Sequence, residues 1–140
     1  MVSRARPEQI KAEVQRFWKV MSGKSGEELA DFYSPYATVF GSSAMSAEPG
    51  RVAAIRRKRE YLNPDAHLAA DLGPIEVHLM GESAAVASYT FSFNARNVTN
   101  DIGDPKSESI RYGRATQVFE IESDGRLRIL HEHISIARPN

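Results

Sequence analysis

Ser123-Asp124-Gly125-Arg126-Leu127-Arg128-Ile129-Leu130-His131-Glu132-His133-Ile134-Ser135-Ile136 is the stretch that decides the fold. Asp-Gly between two alternating segments is a strong short-range hairpin signal, because these residues accept the backbone of a tight turn. Residues 127–136 therefore read as a strand, and residues 111–121 before the turn as its antiparallel partner. Further back, Ala84–Asn94 alternates over its whole length. Tyr89, Phe91 and Phe93 fall on one face, and Ser88, Thr90, Ser92 and Asn94 on the other. Gly81-Glu82-Ser83 is a turn, and Ile75, Val77 and Leu79 alternate through residues 74–80. Residues 95–109 are polar and hold Asn, Asp, Gly and Pro, the composition of a loop. The second half is thus a four-stranded antiparallel meander.

The first half has a different period. Pro7 suits a first helical turn, where its missing N–H is no loss. Ile10, Val14, Phe17, Trp18 and Met21 recur at the spacing of one helical face, up to Gly23. Ser25-Gly26-Glu27-Glu28 reads as a capping box opening a short helix, with Leu29, Phe32 and Tyr33 inward. Ser34-Pro35 stops it, since proline disfavours helical geometry in the residue before it. Thr38-Val39-Phe40 reads as a short strand and residues 41–50 as a small-residue loop. Residues 51–62 read as a third helix, with Val52, Ile55 and Leu62 on one stripe, ended by Asn63-Pro64. Helices followed by a meander predict an α+β fold: a curved, cone-shaped antiparallel sheet with the N-terminal helices over its concave face. No repeat or linker divides residues 1–140, which read as a single domain.

Composition removes several functions. The 140 residues carry 18 Lys+Arg against 18 Asp+Glu, without the basic excess of a dedicated nucleic-acid binder. Apolar residues are 41% and charged residues 26%, the balance of a globular chain. Cysteine is absent, which excludes thiolate chemistry, disulfides and Cys-bearing zinc sites. No apolar run reaches the ~18 residues of a membrane span. The polar first residues lack the apolar region of a signal peptide, so the expected location is cytoplasmic. There is no Gly-x-Ser-x-Gly elbow and no phosphate-binding glycine loop, and no cofactor is expected.

Three stretches carry a family resemblance: Ile75-Glu76-Val77-His78-Leu79-Met80-Gly81-Glu82-Ser83-Ala84, Thr116-Gln117-Val118-Phe119, and the hairpin ending in His131-x-His133-x-Ser135. Together with the element order they resemble the nuclear transport factor 2-like superfamily, the cystatin-like fold that includes SnoaL-like cyclases and ketosteroid isomerases. The sharper resemblance is to the association domain of calcium/calmodulin-dependent protein kinase II and its bacterial SnoaL-like relatives. In that domain arginines line the cavity. The matching positions here are Thr90, Gln117 and Ile134, none of them basic, so an arginine-lined anion site is not implied. The tryptophan usual after the hairpin glycine is replaced at Leu127.

The same register implies which side chains face the cone. If Thr90, Gln117 and Ile134 point inward, so do Ser88, Ser92, Ala115, Phe119, Leu130, Glu132 and Ile136, two residues away or multiples of two. Tyr89, Phe91 and Phe93 then lie on the outside of the sheet. A row of aromatics is too apolar to leave in water, so this reading gives it to a homodimer interface.

Glu132 is the leading catalytic candidate. Desolvation makes a carboxylate a better proton acceptor, and ketosteroid isomerase-like enzymes of this fold use a cavity carboxylate as general base. Gln117 or Arg59 would polarise the substrate oxygen. The competing reading leaves Glu132 exposed at the mouth, or paired with Arg114 or Arg59. With strand parity reversed, His131 and His133 take over the candidacy. His131-x-His133 puts two imidazoles ~6.5–7 Å apart on one face, but a metal site needs three or four ligands, so no metal is expected. Of Arg56-Arg57-Lys58-Arg59, only Arg59 falls on the inward stripe of its helix. Trp18, Tyr33, Phe40 and Tyr61 lie on or near inward stripes, and some of them line whatever pocket the cone encloses.

Two functions fit. One is a protein that binds a small hydrophobic molecule of unknown identity, an isomerase or lyase acting by proton abstraction. The pocket would be lined by Trp18, Tyr33, Phe40, Arg59, Thr90, Gln117, Phe119 and Ile134, with Glu132 and His133 as catalytic candidates. The alternative is a non-catalytic association module that makes homo-oligomers.

Overall fold

Pro7 opens α1 (Pro7–Met21), and Gln9 Oε1 accepts a hydrogen bond from the Arg6 backbone N–H at 2.8 Å, closing one orphan donor of the first turn. The computed structural model describes residues 6–21, 26–41, 48–52, 70–94 and 110–137. After α1 come α2 (Gly26–Ala30), β1 (Tyr33–Phe40), β2 (Glu48–Pro49), β3 (Ala70–Leu72), β4 (Glu76–Met80), β5 (Ala84–Asn94), β6 (Ile110–Ile121) and β7 (Leu127–Ala137). The expected helix over residues 51–62 lies outside the described residues beyond position 52, as do Arg59, Tyr61, the capping serine Ser25 and the loop 95–109.

The strands form one seven-stranded curved sheet in the order β2-β1-β7-β6-β5-β3, with β4 also on β5. The β4–β7 meander is antiparallel, as its two turns predict. Gly81 and Gly125 take positive φ (66° and 86°) at those turns, where a side chain would be strained. Three features depart from expectation. Tyr33 belongs to β1, not to the short helix, because the chain extends as soon as Phe32 O accepts the Ile129 N–H at 2.7 Å. β1 then pairs parallel with β7. β2 and β3 are additional short edge strands within stretches that carry no alternation.

All five predicted residues of α1 are buried, and they cover one face of the sheet, here called the inner face. Each fully buried large apolar side chain there is worth roughly 1.5–3 kcal/mol. Facing on β5 is opposite to the sequence expectation. Tyr89, Phe91 and Phe93 are buried in the core, while Thr90 is exposed and Ser88 and Ser92 are half-buried on the outer face. The pairing register shows why. Ala85 opposes Phe119, Ala87 opposes Gln117, Tyr89 opposes Ala115, and Phe91 opposes Gly113. Directly opposed residues share a face, so Gln117 inward forces Ala87 inward and its neighbour Tyr89 with it. Each pair joins a large side chain to a small one. At Gly113 a Cβ would lie 2.1 Å from the Phe91 ring, so the ring occupies space that only glycine leaves. The three aromatics therefore cannot be the homodimer surface assigned to them.

On β6 and β7 the expected facing holds for Ala115, Gln117, Phe119, Glu132 and Ile134, all buried. Leu130 is the exception. The register between β6 and β7 shifts between Val118 and Phe119, where Val118 pairs with His131 and Phe119 with Ile129. Leu130 is the extra residue of that bulge and turns outward, 39% exposed, while Ile129 takes the inner position.

Candidate functional site

Four neighbouring strands and α1 each contribute one polar side chain to a single buried network. Gln117 on β6 and Glu132 on β7 are direct cross-strand partners on the inner face. Gln117 Nε2 donates to Glu132 Oε2 at 2.7 Å. From β1, the Tyr33 hydroxyl sits between the two carboxylate oxygens, 2.9 Å from Oε1 and 3.0 Å from Oε2. From β5, the Tyr89 hydroxyl donates to Gln117 Oε1 at 2.8 Å. From α1, the Trp18 indole Nε1–H donates to the Tyr89 hydroxyl at 2.8 Å. In space the order is Tyr33, Glu132, Gln117, Tyr89, Trp18, which follows the strand order β1-β7-β6-β5 and then rises to the helix.

Burial gives this network its chemical character. Glu132 and Gln117 have no solvent exposure, and neither does Tyr33. A buried carboxylate without partners is strongly unfavourable, so converging donors are the condition for keeping it there. Hydrogen bonds to an ionised acceptor are about twice as strong as neutral ones. The Gln117 amide cannot be turned round at no cost. Its oxygen would then face the carboxylate oxygens, and its nitrogen would face the hydroxyl proton of Tyr89. Gln117 also holds a second Nε2 hydrogen that has no partner among the described residues. The site thus presents a proton acceptor and an adjacent N–H donor, the two groups needed to take a proton from carbon and hold the oxygen that receives the charge.

Trp18, Tyr33, Gln117 and Glu132 are the sequence-predicted residues that the fold brings together. Phe119 and Ile134 lie on the same buried face, flanking them on β6 and β7. Three candidates are elsewhere. Thr90 is on the outer face opposite Arg114. Phe40 is 38% exposed on the outer face of β1, paired with His133, because Val39 takes the inward position. His133 is exposed there too, so it does not share the site with Glu132. Arg59 is outside the described residues. Tyr89 is the network member that sequence reasoning missed. The signal was available in its opposition to Ala115, a small residue with room for a ring.

The outer-face histidines have their own surroundings. His131 Nδ1 is 3.1 Å from Thr38 Oγ1, and the Phe40 ring lies 5.9 Å from the His131 ring and 6.0 Å from the His133 ring. No group of three or more metal-ligating side chains occurs among the described residues. Among them, also, no helix is long and apolar enough to cross a membrane.

A search of curated proteins finds no match to this sequence. Solved structures match over almost the whole chain. A calcium/calmodulin-dependent protein kinase II hub homology domain from Chlamydomonas reinhardtii superposes with a TM-score of 0.75 at 19% identity, covering 94% of this chain and 97% of that one. A candidate association domain of the same kinase class from Xanthomonas campestris gives 0.73 at 18% identity, covering 99% and 97%. A candidate ketosteroid isomerase from Parabacteroides distasonis gives 0.69 at 15% identity, covering 99% and 93%. At these identities the likeness is one of fold, the nuclear transport factor 2-like, cystatin-like arrangement that the resemblance implied. The family model described as SnoaL-like domain matches residues 10–139, from the first buried residue of α1 to beyond β7. The chain belongs to the SnoaL-like domain family.

Proposed function

We propose that this protein binds a small, largely apolar carbonyl compound against the inner face of the sheet, with Glu132 as proton acceptor. The observation that carries this is the fully buried Glu132 carboxylate, held between Tyr33 and Gln117. In the reaction this favours, Glu132 takes a proton from the carbon next to the carbonyl. The C–H electron pair moves into the carbonyl and makes an enolate, and the second N–H of Gln117 holds the enolate oxygen. Return of the proton from Glu132 to another carbon completes an isomerisation. Loss of a leaving group from the enolate would complete a lyase reaction. Trp18, Tyr33, Phe119 and Ile134 supply the aromatic and apolar surroundings. The likeness to a candidate ketosteroid isomerase supports the reading at the level of fold.

Two probes test it together. 2-Naphthol, a planar fluorescent phenol, imitates a bound enolate, and a β,γ-unsaturated 3-ketosteroid gains enone absorbance when isomerised. Binding of the phenol should weaken in Gln117→Ala. Any turnover should fall at least about 100-fold in Glu132→Gln. A wild-type protein that neither binds the phenol nor turns over the ketone would overturn the proposal.

A second reading is supported by a different region. The outer face and its ends expose Phe40, Leu130 and Tyr112, the last 60% exposed. This is the surface we assign to a homodimer, in place of the Tyr89/Phe91/Phe93 row, and association domains are among the solved structures of the same fold. Light scattering should give twice the chain mass, and Phe40→Lys with Leu130→Lys should halve it. A wild-type protein that stays monomeric at micromolar concentration would sink this second reading.

A further inference from the structure

The buried network has a direction, and its origin is the residue furthest from the carboxylate. An indole N–H can only donate. Trp18 therefore makes the Tyr89 oxygen an acceptor, 2.8 Å away. A hydroxyl that accepts a hydrogen bond becomes a stronger donor, and Tyr89 passes its own proton to Gln117 Oε1. That polarises the Gln117 amide, whose nitrogen donates to Glu132 Oε2. Every proton in the series points from α1 toward β7.

The opposite direction is chemically available to every member except Trp18. A neutral Glu132 could donate to Gln117 Oε1, and the turned amide could donate to the Tyr89 oxygen. With Trp18 in place that oxygen would receive two donors, each weakening the other. We infer that Trp18 is a positioning residue for Glu132: it is the terminal donor of a one-way hydrogen-bond relay that crosses the sheet and holds the carboxylate as an acceptor.

The placement of Trp18 is itself supported. Its ring packs on Phe91 at a centroid distance of 4.4 Å, and Phe91 lies in the space left by Gly113. A glycine on β6 thus helps set the aim of an indole on α1. The relay concerns the same carboxylate as the proposed function but rests on hydrogen-bond geometry alone, so it stands or falls whether or not Glu132 turns a substrate over.

The chain has one tryptophan, so its indole N–H gives a single assigned peak in a 1H–15N spectrum of the ligand-free protein. Glu132→Gln removes the charge at the far end and keeps the shape. The expected result is that this substitution displaces the indole peak although three hydrogen bonds separate the two side chains. In a Tyr89→Phe background, where the relay is cut in the middle, the same substitution should leave the peak in place. Trp18→Phe should in turn displace the carboxyl-carbon resonance of Glu132 in protein carrying labelled glutamate. That effect should vanish in the Tyr89→Phe background. An indole peak unmoved by Glu132→Gln would overturn the inference. So would a displacement of equal size with and without the Tyr89 hydroxyl, which would mean transmission by packing. If Trp18→Phe fails to fold, the indole measurement on the proteins that retain Trp18 decides the question.

Discussion

The two faces of the sheet both carry polar groups, on adjacent residues, and treat them oppositely. Toward α1, Gln117 and Glu132 are sealed from water and joined with Tyr33 and Tyr89 by hydrogen bonds of 2.7–3.0 Å. One residue away on the same strands, Thr116 and His133 are exposed, and they directly oppose each other without needing to meet. The difference is a matter of solvent. Outside, water satisfies any polar group that its neighbours do not, so selection on geometry is weak. Inside, each polar atom must be met by protein, so every member depends on its neighbours. Polar residues are therefore informative about function only once their face is known.

The sharpest way to break this contrast is Glu132→Ala. It leaves the Tyr33 and Gln117 donors buried without their carboxylate, and should lower stability by about 2–4 kcal/mol in denaturant melts. His133→Ala, the neighbour one residue on, should stay within about 0.5 kcal/mol. Equal effects at the two positions would erase the distinction between the faces. A smaller loss, about 1–3 kcal/mol, is expected for Gly113→Ala, because its methyl would drive the Phe91 ring off β6 and disturb Trp18 above it. Near-UV circular dichroism should register the displaced aromatics. A Gly113→Ala protein with an unchanged aromatic spectrum and unchanged stability would show that the core has slack at that point.

Much of the fold was legible because turns and alternation are local. Asp124-Gly125 and Gly81 marked the hairpins, and β5 through β7 begin and end within a residue or so of their expected bounds. What failed was long-range register. The β5 assignment followed the resemblance, which matched Thr90 to a cavity position and turned Tyr89, Phe91 and Phe93 outward. The plain rule that an apolar row faces the core would have placed them correctly. Applied together with the small residues opposite, Ala115 and Gly113, it would also have found Tyr89 beside Gln117. Leu130 shows a different limit. A bulge depends on pairing between strands, and nothing in Ile129-Leu130-His131 announces it. Glu132 was still placed correctly, because its facing was reckoned from Ile134, on the far side of the bulge. Phe40 was read as lying on or near an inward stripe. The parity of β1 could only be known from its pairing with β7.

That pairing also bears on how the chain reaches its folded state. β7 lies between β1 and β6 in the sheet, although it is made after both. Until it is synthesised, the segment bearing α1, α2 and β1 has no strand to join to the β5–β6 hairpin, and Glu132 is not yet present to receive Tyr33 and Gln117. The sequence separations across the central pairings are correspondingly long, with Thr38 meeting His131. Such topologies pay the entropy of closing a long loop before the contacts repay it, and they fold slowly. On the ribosome, the inner edges of β1 and β6 must wait unpaired for β7, so this protein should depend on chaperones or on fast late closure more than a meander alone would.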